Sequence, residues 1–88
     1  MRYTLIGDGI GAIATLTDEP PASLTHPVLL VHTDAVDGCF TAEEAVPLPG
    51  GYSLAAADIV QAWAMRPGRS DDEIDAATRF LGHPPAPL

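Results

Sequence analysis

Lysine is absent from this 88-residue chain, cysteine occurs once, and only one Trp, two Tyr and two Phe are present. A single cysteine excludes an internal disulfide and the paired-thiol spacing of a structural zinc site. With no lysine, four arginines stand against twelve acids and the formal charge is −8. Such a chain repels phosphates and offers no basic patch, which excludes direct contact with nucleic acid. It also lacks a signal peptide and any apolar run long enough to span a bilayer, so it reads as a soluble cytoplasmic protein without membrane contact. Scarce aromatics leave the core to Ala, Val, Leu and Ile.

What is present is a globular composition, 47% hydrophobic and 18% charged. One domain of this size buries roughly 60 to 65% of its unfolded surface. It should occupy residues 1–82, followed by an extended Pro-rich tail over 83–88. No internal repeat is visible.

The decisive stretch is Leu5 to Leu16, where Asp8-Gly9 can form a two-residue type I′ turn because both positions tolerate positive φ. That turn sets Tyr3 opposite Ala14, Thr4 opposite Ile13, Leu5 opposite Ala12, Ile6 opposite Gly11 and Gly7 opposite Ile10. One face then carries Tyr3, Leu5, Ile10, Ala12, Ala14 and Leu16, which is the expected core side. The other carries Thr4, Ile6, Ile13, Thr15 and Thr17.

The same stretch supports a second reading. Gly7, Gly9 and Ala12 match the G-x-G-x-x-A form of a dinucleotide fingerprint, with Gly11 inside it and His32 or Asp34 near the place of a ribose-binding acid. On these residues the first third of the chain resembles the opening of flavin- and nicotinamide-binding domains. The resemblance implies a nucleotide on a helix beginning near Ile10. Ile13, Thr15 and Thr17 are stiff in a helix, so the hairpin is preferred and no cofactor is expected.

Downstream, Val28 to Thr33 is apolar on both sides from Val28 to Val31, the mark of a strand at the centre of a sheet. Asp34 to Gly38 reads as a turn with a second Asp-Gly. Cys39 to Val46 fits either a fourth strand or a short helix capped by Thr41 and Glu44, and the helix is favoured. Pro47 to Gly51 reads as a loop.

Ser53 opens an expected helix from Leu54 to about Met65, ended by Arg66-Pro67-Gly68. Its core stripe is Ala55, Ala56, Ile59, Val60, Ala62 and Trp63. The opposite side, Leu54, Asp58, Gln61 and Met65, has apolar ends and a polar middle, which suits partner contact or a homodimer. Arg66 and Arg69 are expected to satisfy the last carbonyls of this helix.

Ser70, with Glu73 reaching back, starts a final helix that Gly82 and Pro84 stop. Ile74, Ala77 and Leu81 form its buried stripe, and Asp75 lies four residues before Arg79. Asp71, Asp72, Glu73 and Asp75 concentrate more negative charge than capping requires.

For chemistry, His32, Asp34, Asp37 and Cys39 are the one cluster with suitable atoms. A Cys–His pair is the minimum for thiolate catalysis, but one thiol and no ligand spacing point to a structural cysteine and no metal. His26 and His83 each precede proline in loops without a sequence neighbour that would give them a role.

The expected fold is α+β, an antiparallel sheet of Tyr3–Gly7, Ile10–Thr17 and Val28–Thr33 covered on one face by two C-terminal helices. The expected function is that of a small acidic, non-catalytic protein that binds, and inhibits or regulates, a larger partner with a basic surface. In length and charge balance it is similar to the anti-CRISPR and DNA-mimic inhibitors of phage and mobile elements. A nucleotide-binding module and a structural homodimer subunit are the alternatives. The same charge would also serve solubility alone.

Overall fold

A computed structural model of the chain describes residues 2–6, 12–17, 27–33, 36–48 and 50–85. Strands β1 (Arg2–Ile6), β2 (Ala12–Thr17), β3 (Val28–Thr33) and β4 (Asp37–Phe40) form an antiparallel sheet in sequence order. Strands β5 (Ala45–Leu48) and β6 (Tyr52–Ala55) form a separate hairpin, and helices α1 (Ala56–Ala64) and α2 (Asp71–Leu81) follow. The architecture is α+β.

The β3 bounds match the sequence reading, and its apolar run places it inside the sheet between β2 and β4. Alternation sorts most of β1 and β2 as expected, although Thr17, on the face away from the core, is also buried. Leu5, Ala14 and Leu16 join the core, Tyr3 packs against it, and Thr4 is exposed. The rungs differ, however. Tyr3 pairs with Leu16 and Thr4 with Thr15, two residues from the expected register, and a bulge then brings Ile6 opposite Ala14. For Tyr3 and Thr4 the slip of two keeps each side chain on its expected face, so burial dictates the parity there and leaves the rung to be chosen by other contacts. The expected Gly7 to Ile10 pairing and the Asp8-Gly9 turn lie outside the described residues.

Two expectations in the middle of the chain are corrected. Asp37 and Gly38 are not turn residues but the start of β4, paired with His32 and Val31. The connection is tighter: the Thr33 N–H donates to the Val36 carbonyl at 2.7 Å, and the Val36 N–H donates to the Thr33 hydroxyl at 2.9 Å. Nor do residues 39–46 form a helix. Thr41 and Glu44 make only half of a capping box, the Thr41 N–H donating to Glu44 Oε1 at 2.9 Å, while the Glu44 N–H donates to the Thr41 carbonyl at 3.1 Å and closes a turn between β4 and β5.

The stretch expected as a loop, 47–51, is the end of β5 and a turn at Gly50 and Gly51, whose φ angles of 90° and 83° belong to the left-handed region that glycine adopts freely. Pro47 is tolerated opposite Ser53 because each strand of a two-stranded sheet is an edge. This hairpin takes Ser53 and Leu54 into β6, so α1 begins at Ala56 rather than Leu54. Ala55 is its N-cap without a side-chain cap, and the Ala56 N–H instead donates to the Glu44 carbonyl at 2.9 Å. Ala56, Ile59, Val60 and Trp63 are buried as expected, together with Ala64, while Ala62 is exposed and Ala55 belongs to β6.

Local signals set the limits of α2. Ser70 and Glu73 form the capping box, and Gly82 closes the helix with φ 83°. Its fully buried residues are Ala76, Ala77 and Phe80, with Ile74 and Leu81 only partly buried. A single core cluster joins Leu5, Ala14, Leu16, Leu29 and Val31 of the sheet to Val46 of β5 and the buried faces of both helices. Arg69 does not serve helix carbonyls as expected. Its guanidinium lies 5.0 Å from the centroid of the Trp63 ring and bonds Glu73 at 3.0 Å.

Candidate functional site

Sheet parity delivers a second row of side chains to the face turned away from the core cluster. Thr4, Thr15, Leu30 and Cys39 are successive cross-strand partners there, and Ile13, His32 and Asp37 form the next row. A groove of about 270 Å³ lies on this face, lined by Ile13, Thr15, Leu30, His32, Asp37 and Cys39 among others. It is slightly smaller than a usual small-molecule site of about 300–1,000 Å³ and mainly apolar at its floor.

The expected cluster is thus partly assembled. His32 Nδ1 stands 3.7 Å from Asp37 Oδ2, an ion pair only when the imidazole is protonated, and both side chains are largely exposed. Cys39 is exposed and one rung along, opposite Leu30. The imidazole therefore has the carboxylate, not the thiol, as its direct cross-strand neighbour. Among the described residues no group of three or more His, Cys, Asp or Glu side chains is placed to hold a metal ion. Asp34 and His26 lie outside the described residues, and His83 Nδ1 contacts the Pro84 carbonyl oxygen at 2.9 Å.

Of the residues expected to hold a nucleotide, Gly7, Gly9 and Gly11 lie outside the described residues. Ala12 opens strand β2, and Ala12–Thr17 is extended. The helix whose N-terminus would receive a pyrophosphate is therefore not formed by these residues.

The expected contact face on α1 is divided. Asp58, Gln61 and Met65 remain on the helix or at its end, but Leu54 sits in β6 opposite Val46. Leu54 and Met65 are 48% and 43% exposed, and Tyr52, which shares a face of β6 with Leu54, is 73% exposed. Tyr52 escapes sequence reasoning because its exposure depends on the β5–β6 pairing.

The acids at the start of α2 fall into two groups. Glu73 accepts from the Ser70 N–H at 2.8 Å and pairs with Arg69 at 3.0 Å, and Asp75 pairs with Arg79 at 3.2 Å. Asp71 and Asp72 are exposed and belong to neither the box nor these pairs. The Ser70 N–H holds the Glu73 carboxyl below the usual carboxylate value of 4.5, with the Ser70 hydroxyl and the Arg69 charge acting in the same direction. A carboxyl lowered in the folded state contributes stability above its unfolded value and loses it as pH falls through the folded one. Glu73→Gln can retain both capping bonds but not the charge. It is expected to melt below wild type near neutrality, the two melting temperatures converging in acid well under pH 4.5. An equal gap at both ends of a calorimetric pH series would show that the charge is immaterial.

No helix among the described residues is long and apolar enough to cross a membrane. No known protein family, curated protein or solved structure matches this chain.

Proposed function

We propose that this chain is a small acidic, non-catalytic binding protein that inhibits or regulates a larger partner with a basic surface. The observation that carries the reading is the division among the α2 acids. Glu73 and Asp75 are held by arginines, while Asp71 and Asp72 project from the helix start outside those pairs. Setting one acid and one arginine aside for each pair, ten acids still face two arginines in the chain. Exposed charge of one sign steers encounter with an opposite surface and governs association rate more than affinity. A charge imitation of DNA, of the anti-CRISPR or anti-restriction kind, is the finer form of this proposal. A homodimer subunit is the second reading, supported by the exposure of Tyr52, Leu54 and Met65.

The test is capture of partners from host extract at low and high salt, followed by kinetics of the identified complex. Asp71→Asn combined with Asp72→Asn should weaken association about two- to thirtyfold, mainly through the on-rate, and flatten its salt dependence. The melting temperature should hardly move. Partners without a basic surface, or affinity indifferent to salt, would overturn the reading.

A further inference from the structure

Strand β4 is the last strand of its sheet among the described residues, so its outer backbone groups have no strand partner there. It also forms one bank of the groove over Leu30 and Ile13. Along this bank the side chains facing the groove are Asp37 and then Cys39. Beyond the end of β4 a second hollow is lined by Pro27, Thr41, Ala42 and Glu43. Glu43 and Glu44 are exposed at this end, and Asp37 is exposed at the other. Asp37 thus stands at one end of this bank, and Glu43 in the turn past its other end.

We propose that the outer edge of β4 takes an extended segment of a partner protein by strand addition, with a basic, an apolar and a basic side chain at alternate positions over the groove. This rests on the acidic-binding reading and gives it a place and a mode. Main-chain hydrogen bonds along an unpartnered edge supply affinity in such docking, and pockets for alternate side chains supply specificity. The central apolar residue would lie on Leu30 and beside Cys39, and the flanking cations would meet Asp37 at one end and Glu43 at the other. A second copy of this chain is a poor occupant, because antiparallel pairing of β4 with itself brings Asp37 toward the Glu43 end of its mate. The charges that keep this short edge from pairing with its own kind select a cationic strand. Nucleic acid would meet the same repulsion as at the rest of the surface.

The test uses the full chain, isotope-labelled, and two capped heptapeptides of one composition. Ser-Lys-Thr-Leu-Thr-Lys-Ser places Lys, Leu and Lys on one face of a strand, whereas Ser-Lys-Leu-Thr-Thr-Lys-Ser turns Leu to the opposite face. The first should bind about fivefold or more tightly than the second, with amide shifts centred on Asp37 to Phe40 and reaching Leu30 and His32. N-methylation of alternate peptide amides should weaken binding about fivefold in one phase and little in the other, since only one set faces β4. Asp37→Asn and Glu43→Gln should each weaken it about twofold or more and reduce its salt dependence. Equal binding of both peptides with shifts at Asp71 and Asp72 would overturn the β4 site and leave the acidic-binding reading standing. Absence of binding, or equal effects of both N-methylation patterns, would also overturn it. Binding at β4 that ignores salt and both acid variants would overturn the charge selection on which it depends.

Discussion

Trp63→Ala is expected to cost about 3–5 kcal/mol, at the upper end for truncation of a core side chain. Total stability for a domain of this kind is about 5–15 kcal/mol, so the variant should be partly unfolded at room temperature if the native value lies near the low end. The indole is 3% exposed and touches three parts of the fold at once. Its own helix carries it into the core, the Tyr3 ring of β1 meets it at a centroid distance of 5.9 Å and 44°, and the Arg69 guanidinium lies over it at 5.0 Å. Truncation opens a large cavity and removes the surface on which the guanidinium rests. Arg69 Nε is already buried without a hydrogen-bond partner among the described residues, so after loss of the ring contact the guanidinium keeps only its bond to Glu73 through the other side of the fork. Urea unfolding followed by far-ultraviolet dichroism measures the effect independently of the lost fluorophore. A loss under about 1 kcal/mol would mean that the ring does not join β1 to the helices.

Leu29→Ala should be nearly as damaging, at about 2.7–5 kcal/mol, whereas Leu30→Ala on the same strand should cost about 1 kcal/mol or less. Leu29 is 0% exposed, stands between Leu16 and Phe40 on neighbouring strands, and belongs to the core cluster. Leu30 points the other way, half-buried in the groove beside Cys39. The ratio of the two losses in matched urea titrations measures how one-sided the sheet is. Equal losses would show that the groove face is packed as tightly as the core, and would leave no room there for a partner's side chain.

Both variants probe the long-range part of the fold, and that part divides what the sequence discloses from what it hides. The limits of α2 were legible because its signals are local: Ser70, Glu73 and Gly82 act within a turn of the helix ends, and the Asp75–Arg79 pair spans one turn. The bounds of β3 and its interior position were legible because an unbroken apolar run leaves no face for solvent. Of the candidate site, the association of His32, Asp37 and Cys39 could be anticipated from their closeness in sequence. The groove they border could not, since part of its floor comes from Ile13 and Thr15 on β2, distant in sequence.

By itself, then, the sequence determined the charge balance, the α+β class, the faces of Tyr3, Thr4, Leu5, Ala14 and Leu16, the interior place of β3, and the limits of the last helix. These follow from composition, from period-two alternation and from capping chemistry, all of which act within a few residues. Tertiary structure alone decided the β1–β2 rung, the β5–β6 hairpin and the first residue of α1. The stretch Tyr52–Ala55 is extended because Ala45–Leu48 pairs with it across Gly50 and Gly51, and that pairing outweighs the helix start that Ser53 offers. It decided the fate of Arg69 in the same way. A guanidinium just past α1 reads as a partner for the last carbonyls of that helix, until the packing of α1 against α2 brings the Trp63 ring beneath it.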